Sequence, residues 1–249
     1  MAADALWALR DAATEAGVDG DRHDVEAAAE ALLDARPAMA ALRNRVNRAM
    51  AGAGSPAAVE RAATEGLVRA AKADAGAAEL AAGTIDGGRV LTLSRSGTVR
   101  RALLAARPAV EVLASLPGGE GHGVAEALAD AGLTVGSHPD AAVYDRCRSG
   151  AVDAVLVGAD AVTPDGGVVN KVGSRAAALA AGCADVPFYA VCASDKVRPA
   201  GSIEPPHEPL FDLTPPAFVT AVLTERGRLT AEAVRAVAAE HRSLADWRD

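Results

Sequence analysis

From Arg89 onward the chain alternates short apolar, β-prone runs with helix-patterned segments, and this alternation restricts its fold more than any other feature. The runs are Val90–Leu93, Ala109–Leu113, Leu133–Val135, Ala154–Val157, Phe188–Cys192 and Phe218–Leu223. Between them lie helix candidates at Gly97–Ala106, Gly121–Ala131, Ala141–Arg148 and Lys171–Ala181, and a last one spans about Thr230–Leu244. Strands separated by a helix return to the same sheet in parallel, because the crossover carries the chain back to its starting edge. Near-continuous apolar runs, rather than alternating ones, belong to strands covered on both faces. The expectation is an α/β fold: a Rossmann-like, mostly parallel sheet of six or more strands. Ligands of such sheets bind beyond the carboxyl ends of the strands, so functional residues are sought in the loops that follow them.

Residues 1–82 read differently. Alanine-rich helical stretches are broken at Gly17, at Asp19-Gly20-Asp21 and at Gly52-Ala53-Gly54. Over Pro37–Ala51, Met39, Leu42, Val46 and Met50 recur at helical spacing, while Arg43, Asn44, Arg45, Asn47 and Arg48 fill the other face. Ser55-Pro56 has the form of an N-cap followed by proline at the first helical position. A small all-helical N-terminal domain over 1–82 is therefore expected, with the glycine-rich 83–88 stretch as linker into an α/β ligand-binding and oligomerisation domain over 83–249.

Composition excludes several classes. The 25 Lys+Arg against 33 Asp+Glu give a net charge of −8, which disfavours a broad nucleic-acid surface. No apolar run approaches the ~20 residues of a membrane span, and the N-terminus lacks a basic start and apolar core, so a cytoplasmic address is expected. Cys147, Cys183 and Cys192 have no metal spacing and read as free buried thiols. The 118–121 stretch lacks the dinucleotide fingerprint GxGxxG, and no cofactor or metal is expected.

Two loops carry candidate chemistry. The run Val155–Gly158 ends in Ala159-Asp160, followed by a Pro164–Gly167 turn and then by Asn170-Lys171, read as the mouth of a helix. A lysine beside unpaired helix N–H groups makes an anion site. Asp160, Asn170 and Lys171 can grip a phosphorylated polyol, the carboxylate on hydroxyls and the amide and ammonium on phosphate. A plain capped helix with a solvated lysine is the alternative. After the first run, Ser94, Arg95, Ser96 and Gly97 open another helix, where they either bind phosphate or form an ordinary capping turn. Lys196, past the Phe188–Cys192 run, is placed on the same side. Cys192 reads as a core thiol, Tyr144 as core packing, and His122 and His138 as solvated or structural.

Gly158-Ala159-Asp160, the following Asp165-Gly166 turn and Asn170-Lys171-x-Gly173 form an ordered signature. With Val186–Tyr189, Lys196, Leu210–Pro216 and Thr224-Glu225-x-Gly227, it resembles the family of translation initiation factor 2B α, β and δ subunits and the ribose-1,5-bisphosphate and methylthioribose-1-phosphate isomerases. The resemblance implies a pocket for a sugar phosphate or nucleotide, and assembly through the C-terminal domain as a homodimer or larger homo-oligomer; the apolar, nearly charge-free Leu210–Val222 stretch suits either a dimer seam or an internal strand with its leading loop. In the isomerases a cysteine works with the aspartate equivalent to Asp160. Here Ser94 stands at the thiol position, and no base beside it is evident. The arginine after the second strand is also missing, the 114–121 run reading Ala-Ser-Leu-Pro-Gly-Gly-Glu-Gly. The leading expectation is therefore a regulatory-subunit-like binding protein without isomerase activity. The alternative is an aldose–ketose isomerase with Asp160 as acid/base and Ser94 or Cys192 in an altered role.

Overall fold

Strand β4 (Ala154–Gly158) is buried at every position, as its unbroken apolar run requires of a central strand. Its neighbours are β1 (Arg89–Leu93) and β7 (Phe188–Val191), both parallel to it. A computed structural model describes residues 2–17, 21–35, 39–115, 118–202, 208–244 and 246–248. Asp19-Gly20 of the expected 19–21 break, Pro37 at the start of the 37–51 segment, and the proline of the 114–121 run lie outside the described residues. The main sheet has seven strands in the order β10-β9-β7-β4-β1-β2-β3. Here β2 is Ala109–Leu113, β3 Val135–His138, β9 Ala221–Thr224 and β10 Gly227–Leu229. All neighbours are parallel except β10, which folds back antiparallel on β9.

The period-2 alternation of these strands divides the core into two layers. Leu91, Leu93, Val155, Val157, Phe188, Ala190 and Val222 pack with α8 (Ser174–Cys183) and α9 (Ala231–Glu240). Val90, Val110, Val112, Leu156, Val191 and Leu223 face α5 (Gly97–Ala106), α6 (Glu120–Asp130) and the end of α4 (Pro56–Thr84), through Ala77, Ala78 and Ala81.

The N-terminal part is helical: α1 (Ala2–Ala16), α2 (Arg22–Ala35), α3 (Ala40–Met50) and the first half of α4 share a core of Leu6, Leu9, Val25, Val46, Met50 and Val59. The Ser55 hydroxyl caps α4 by accepting the Ala58 N–H. That helix continues without interruption onto the sheet and ends at Thr84, inside the 83–88 stretch.

Four expectations are corrected. Lys171 does not begin a helix. It ends β6 (Val168–Lys171), which pairs antiparallel with β5 (Ala161–Val162) and β8 (Phe211–Thr214) in a second, three-stranded sheet. The strand expected from Phe218 starts only at Ala221, because Pro216–Phe218 forms a short 3₁₀ turn. Tyr144, on α7 (Val143–Arg148), is half exposed rather than core, and Cys183 is exposed while Cys147 and Cys192 are buried.

Candidate functional site

The sheet order reverses between β1 and β4: from β1 the chain winds outward through β2 and β3, and from β4 it winds the other way through β7 and β9. Loops diverging from such a switch point leave a crevice between them. A cavity of about 430 Å³ lies there, a size typical of small-molecule sites. It is lined by Ser94, Arg95, Ser96 and Gly97 after β1, by Gly158, Ala159 and Asp160 after β4, and by Asn170 and Lys171 of β6. Lys196 of the turn after β7 and Arg45 of α3 complete that ring. All eight residues singled out in the sequence thus border one space. Its lining also includes Arg101 and Asp74, so five cationic side chains face two carboxylates in a chain that is acidic as a whole.

Asp160 is fixed through its backbone, its N–H donating to Val169 O at 2.8 Å. Burial pushes its carboxyl above the ordinary aspartate value, with Lys196 and Lys171 pulling the other way. The Lys196 ammonium donates to Ala159 O. Lys171 sits opposite Phe211 in the strand register, and its ammonium lies 4.0 Å from the centre of that ring. Asn170 is buried and donates to Ser174 Oγ at 2.8 Å, tying β6 to the first residue of α8.

The helix-mouth anion site expected beside Lys171 is not built that way. The Gly173 and Arg175 N–H groups at the start of α8 donate to the Asp212 carboxylate, at 3.0 and 3.2 Å. The chain therefore supplies its own anion to that dipole. The helix end that does open on the cavity belongs to α5. Ser96 is its N-cap, its hydroxyl accepting the Val99 N–H, and Gly97 and Thr98 line the cavity beside it. Gly158 is required by this packing: a Cβ there would lie 2.8 Å from Ser96 Oγ and 2.9 Å from Ser96 Cβ.

Ser94 is buried and held at φ +59°, a left-handed conformation that non-glycine residues rarely take. Its hydroxyl donates to the Glu120 carboxylate, which also accepts the Arg95 N–H at 3.3 Å. Sequence reasoning found no base beside Ser94; the structure places one there, from the first turn of α6. The signal was present in Glu120-Gly121. Gly121 packs against the end of β2 so closely that a Cβ would lie 2.5 Å from Ala114 Cα and from Leu113 O. Only glycine brings the helix start, and with it Glu120, this near β1.

Cys192 contributes no nucleophile. It is fully buried, and desolvation pushes its thiol up to about 12. His122 is exposed, and His138 pairs with Glu111 at the outer strands of the sheet. Among the described residues no group of three His, Cys, Asp or Glu side chains is placed to hold a metal ion, and no helix is long and apolar enough to cross a membrane.

A mostly parallel sheet with an electropositive pocket at its switch point, bordered by residues of the helical N-terminal segment, defines a Rossmann-like α/β protein. More particularly, the chain belongs to the Initiation factor 2 subunit family, whose pattern it matches over residues 1–206. It is 29% identical to the ribose 1,5-bisphosphate isomerase of Archaeoglobus fulgidus, over 93% of this chain and 83% of that protein. It is 32% identical to a putative translation initiation factor eIF-2B subunit 2-like protein of Pyrococcus abyssi, over 79% of this chain and 77% of the relative. Among solved structures, the translation initiation factor eIF-2B of Pyrococcus horikoshii OT3 superposes with a TM-score of 0.79 at 27% identity, covering 92% of this chain and 90% of that one.

Proposed function

We propose that this protein binds a phosphorylated sugar or nucleotide in the strand-end cavity, as an initiation factor 2B regulatory-subunit-like protein without isomerase turnover. The observation that carries this reading is the state of the thiol position inside a cavity otherwise fitted for a phosphate ester. Five cations surround the space, Asp160 is available to a hydroxyl, and the α5 mouth faces inward. Ser94, however, carries a hydroxyl whose ordinary acidity is far below that of a thiol. Assembly into a homodimer or larger homo-oligomer belongs to the same reading. Leu210, Leu213 and Phe218 expose apolar surface beside β8 that a second copy would cover. Ribose-1,5-bisphosphate should raise the melting temperature of the wild type, and Lys171→Ala should weaken that binding roughly tenfold, the loss of one charge-assisted contact. Absence of any shift with sugar phosphates or nucleoside monophosphates would remove the reading.

Two observations favour a second reading, an aldose–ketose isomerase. Glu120 can accept the Ser94 proton, and Asp160 has a raised pKa suited to acid/base work. The reaction moves one hydrogen from C2 to C1 of the opened sugar and needs no external oxidant. Incubation with ribose-1,5-bisphosphate decides between the two: accumulation of ribulose-1,5-bisphosphate that Asp160→Asn abolishes establishes the isomerase.

A further inference from the structure

A second cavity of about 380 Å³ lies between α3, α4 and the turn after β7, lined by Arg45, Arg48, Gly66, Arg69, Ala70, Lys72, Ala73, Ser194, Asp195 and Glu225. Arg45 is common to both cavities, so the two spaces are back to back across one side chain. The second takes four cations and two carboxylates, and both carboxylates are already engaged. Asp195 accepts from Arg45 Nε at 2.5 Å, and Glu225 accepts the N–H and hydroxyl of Ser194. Arg48 is half-buried, and no described residue hydrogen-bonds its guanidinium. Burial, Arg69 and Arg45 all oppose its charge, and Asp195 alone supports it. The wall behind the cluster is small and apolar, formed by Gly66, Ala70 and Ala73 on one face of α4.

Arg45 is paired with Asp195, and the exposed Arg69 reaches Glu65 at 3.5 Å, whereas the half-buried Arg48 lies beside both guanidinium groups with no hydrogen-bond partner among the described residues, an arrangement that is unfavourable unless an anion joins it. Guanidinium forks match phosphate oxygens bidentately, and a dianion would balance the surplus of two positive charges. We infer that this cavity is a second, separate binding site for a small phosphate ester, gripped by Arg48 and Arg69 with Lys72 at the rim. Arg45 links it to the strand-end cavity, since an anion drawing on Arg45 competes with Asp195, whose neighbour Lys196 lines the first site.

Inorganic phosphate is the probe, titrated into the full-length chain at matched ionic strength and followed by ³¹P line broadening. Wild type should show two saturable events, one of which persists in Lys171→Ala and weakens at least about tenfold in the double variant Arg48→Ala, Arg69→Ala. Lys72→Glu changes only an exposed position, so it keeps the fold, and it should weaken the same event by a similar factor. A wild type with no event that both Lys72→Glu and the double arginine variant weaken overturns the proposal. Loss of the first event alone in Lys171→Ala bears on the strand-end site and leaves this one standing.

Discussion

Gly121 has no room for a side chain, and its neighbours are backbone atoms that cannot swing aside. Gly121→Ala should lower stability by about 3 kcal/mol, at the upper end of overpacking costs, read as the urea midpoint at unchanged slope. Because Glu120 precedes it, the same change should weaken the Ser94–Glu120 contact. Asp160 presents the opposite case, a residue held against its preference. Its folded-state pKa is raised by burial, so the native state binds a proton more tightly than the unfolded chain, and stability is lost as pH rises through that raised pKa. Asp160→Asn should therefore raise the melting temperature at neutral pH, on the order of 2–4 °C for a gain of about 1 kcal/mol in a chain of this size. The gap should close as pH falls toward the ordinary aspartate value of 3.8. A stabilised variant that has also lost its sugar-phosphate response would show that the carboxylate is kept for its chemistry.

At the scale of elements, α3 shows how a polar helix face becomes an interface. Asn44 donates to Asp195 O and Val197 O at 2.7 and 2.8 Å, Asn47 to Leu244 O at 2.7 Å, and Arg45 to the Asp195 carboxylate. These side chains are buried, so each bond replaces water that cannot enter. Arg45→Ala leaves the Asp195 charge buried and unpaired and should cost about 3–5 kcal/mol in chemical denaturation, whereas Arg45→Met with Asp195→Leu should cost much less. In sequence this face shows only as polar positions at helical spacing; the carbonyl groups that make it an interface lie some 150 residues away. The same distinction separates the elements that were legible from those that were not. Strands β1, β2, β4 and β7 are buried on both sides, and their apolar runs announce them. By contrast β6 reads Val-Val-Asn-Lys and β8 Phe-Asp-Leu-Thr, short mixed segments that become strands by pairing with each other and, for β6, with β5. Asn170 and Lys171 were therefore recognised as site residues while being assigned to the wrong kind of element. The cavity neighbours Arg45, Asp74 and Arg101 went unrecognised because helices α3, α4 and α5 bring them in from outside the strand-end loops.

For the molecule as a whole, α4 is the structural hinge pin. Its first half packs through Val59 and Ala63 in the helical core, and its second half packs through Ala77, Ala78 and Ala81 on the sheet. One rigid helix with a foot in each core couples their unfolding. Tryptophan emission, which reports on Trp7 of α1 and on Trp247, should follow the same urea curve as circular dichroism at 222 nm. Two separated transitions would show that the helical segment melts independently. The Asp212 carboxylate across the start of α8 has a wider consequence. Sheets of this kind offer a diffusing anion more than one helix mouth, and here one is permanently plugged by the protein itself. The N–H groups that an approaching anion would seek at Gly173 and Arg175 are already taken, while the start of α5, at Ser96 and Gly97, borders the cavity. Exchanging Asp212 for a neutral residue would loosen the tether that this carboxylate makes between β8 and the first turn of α8.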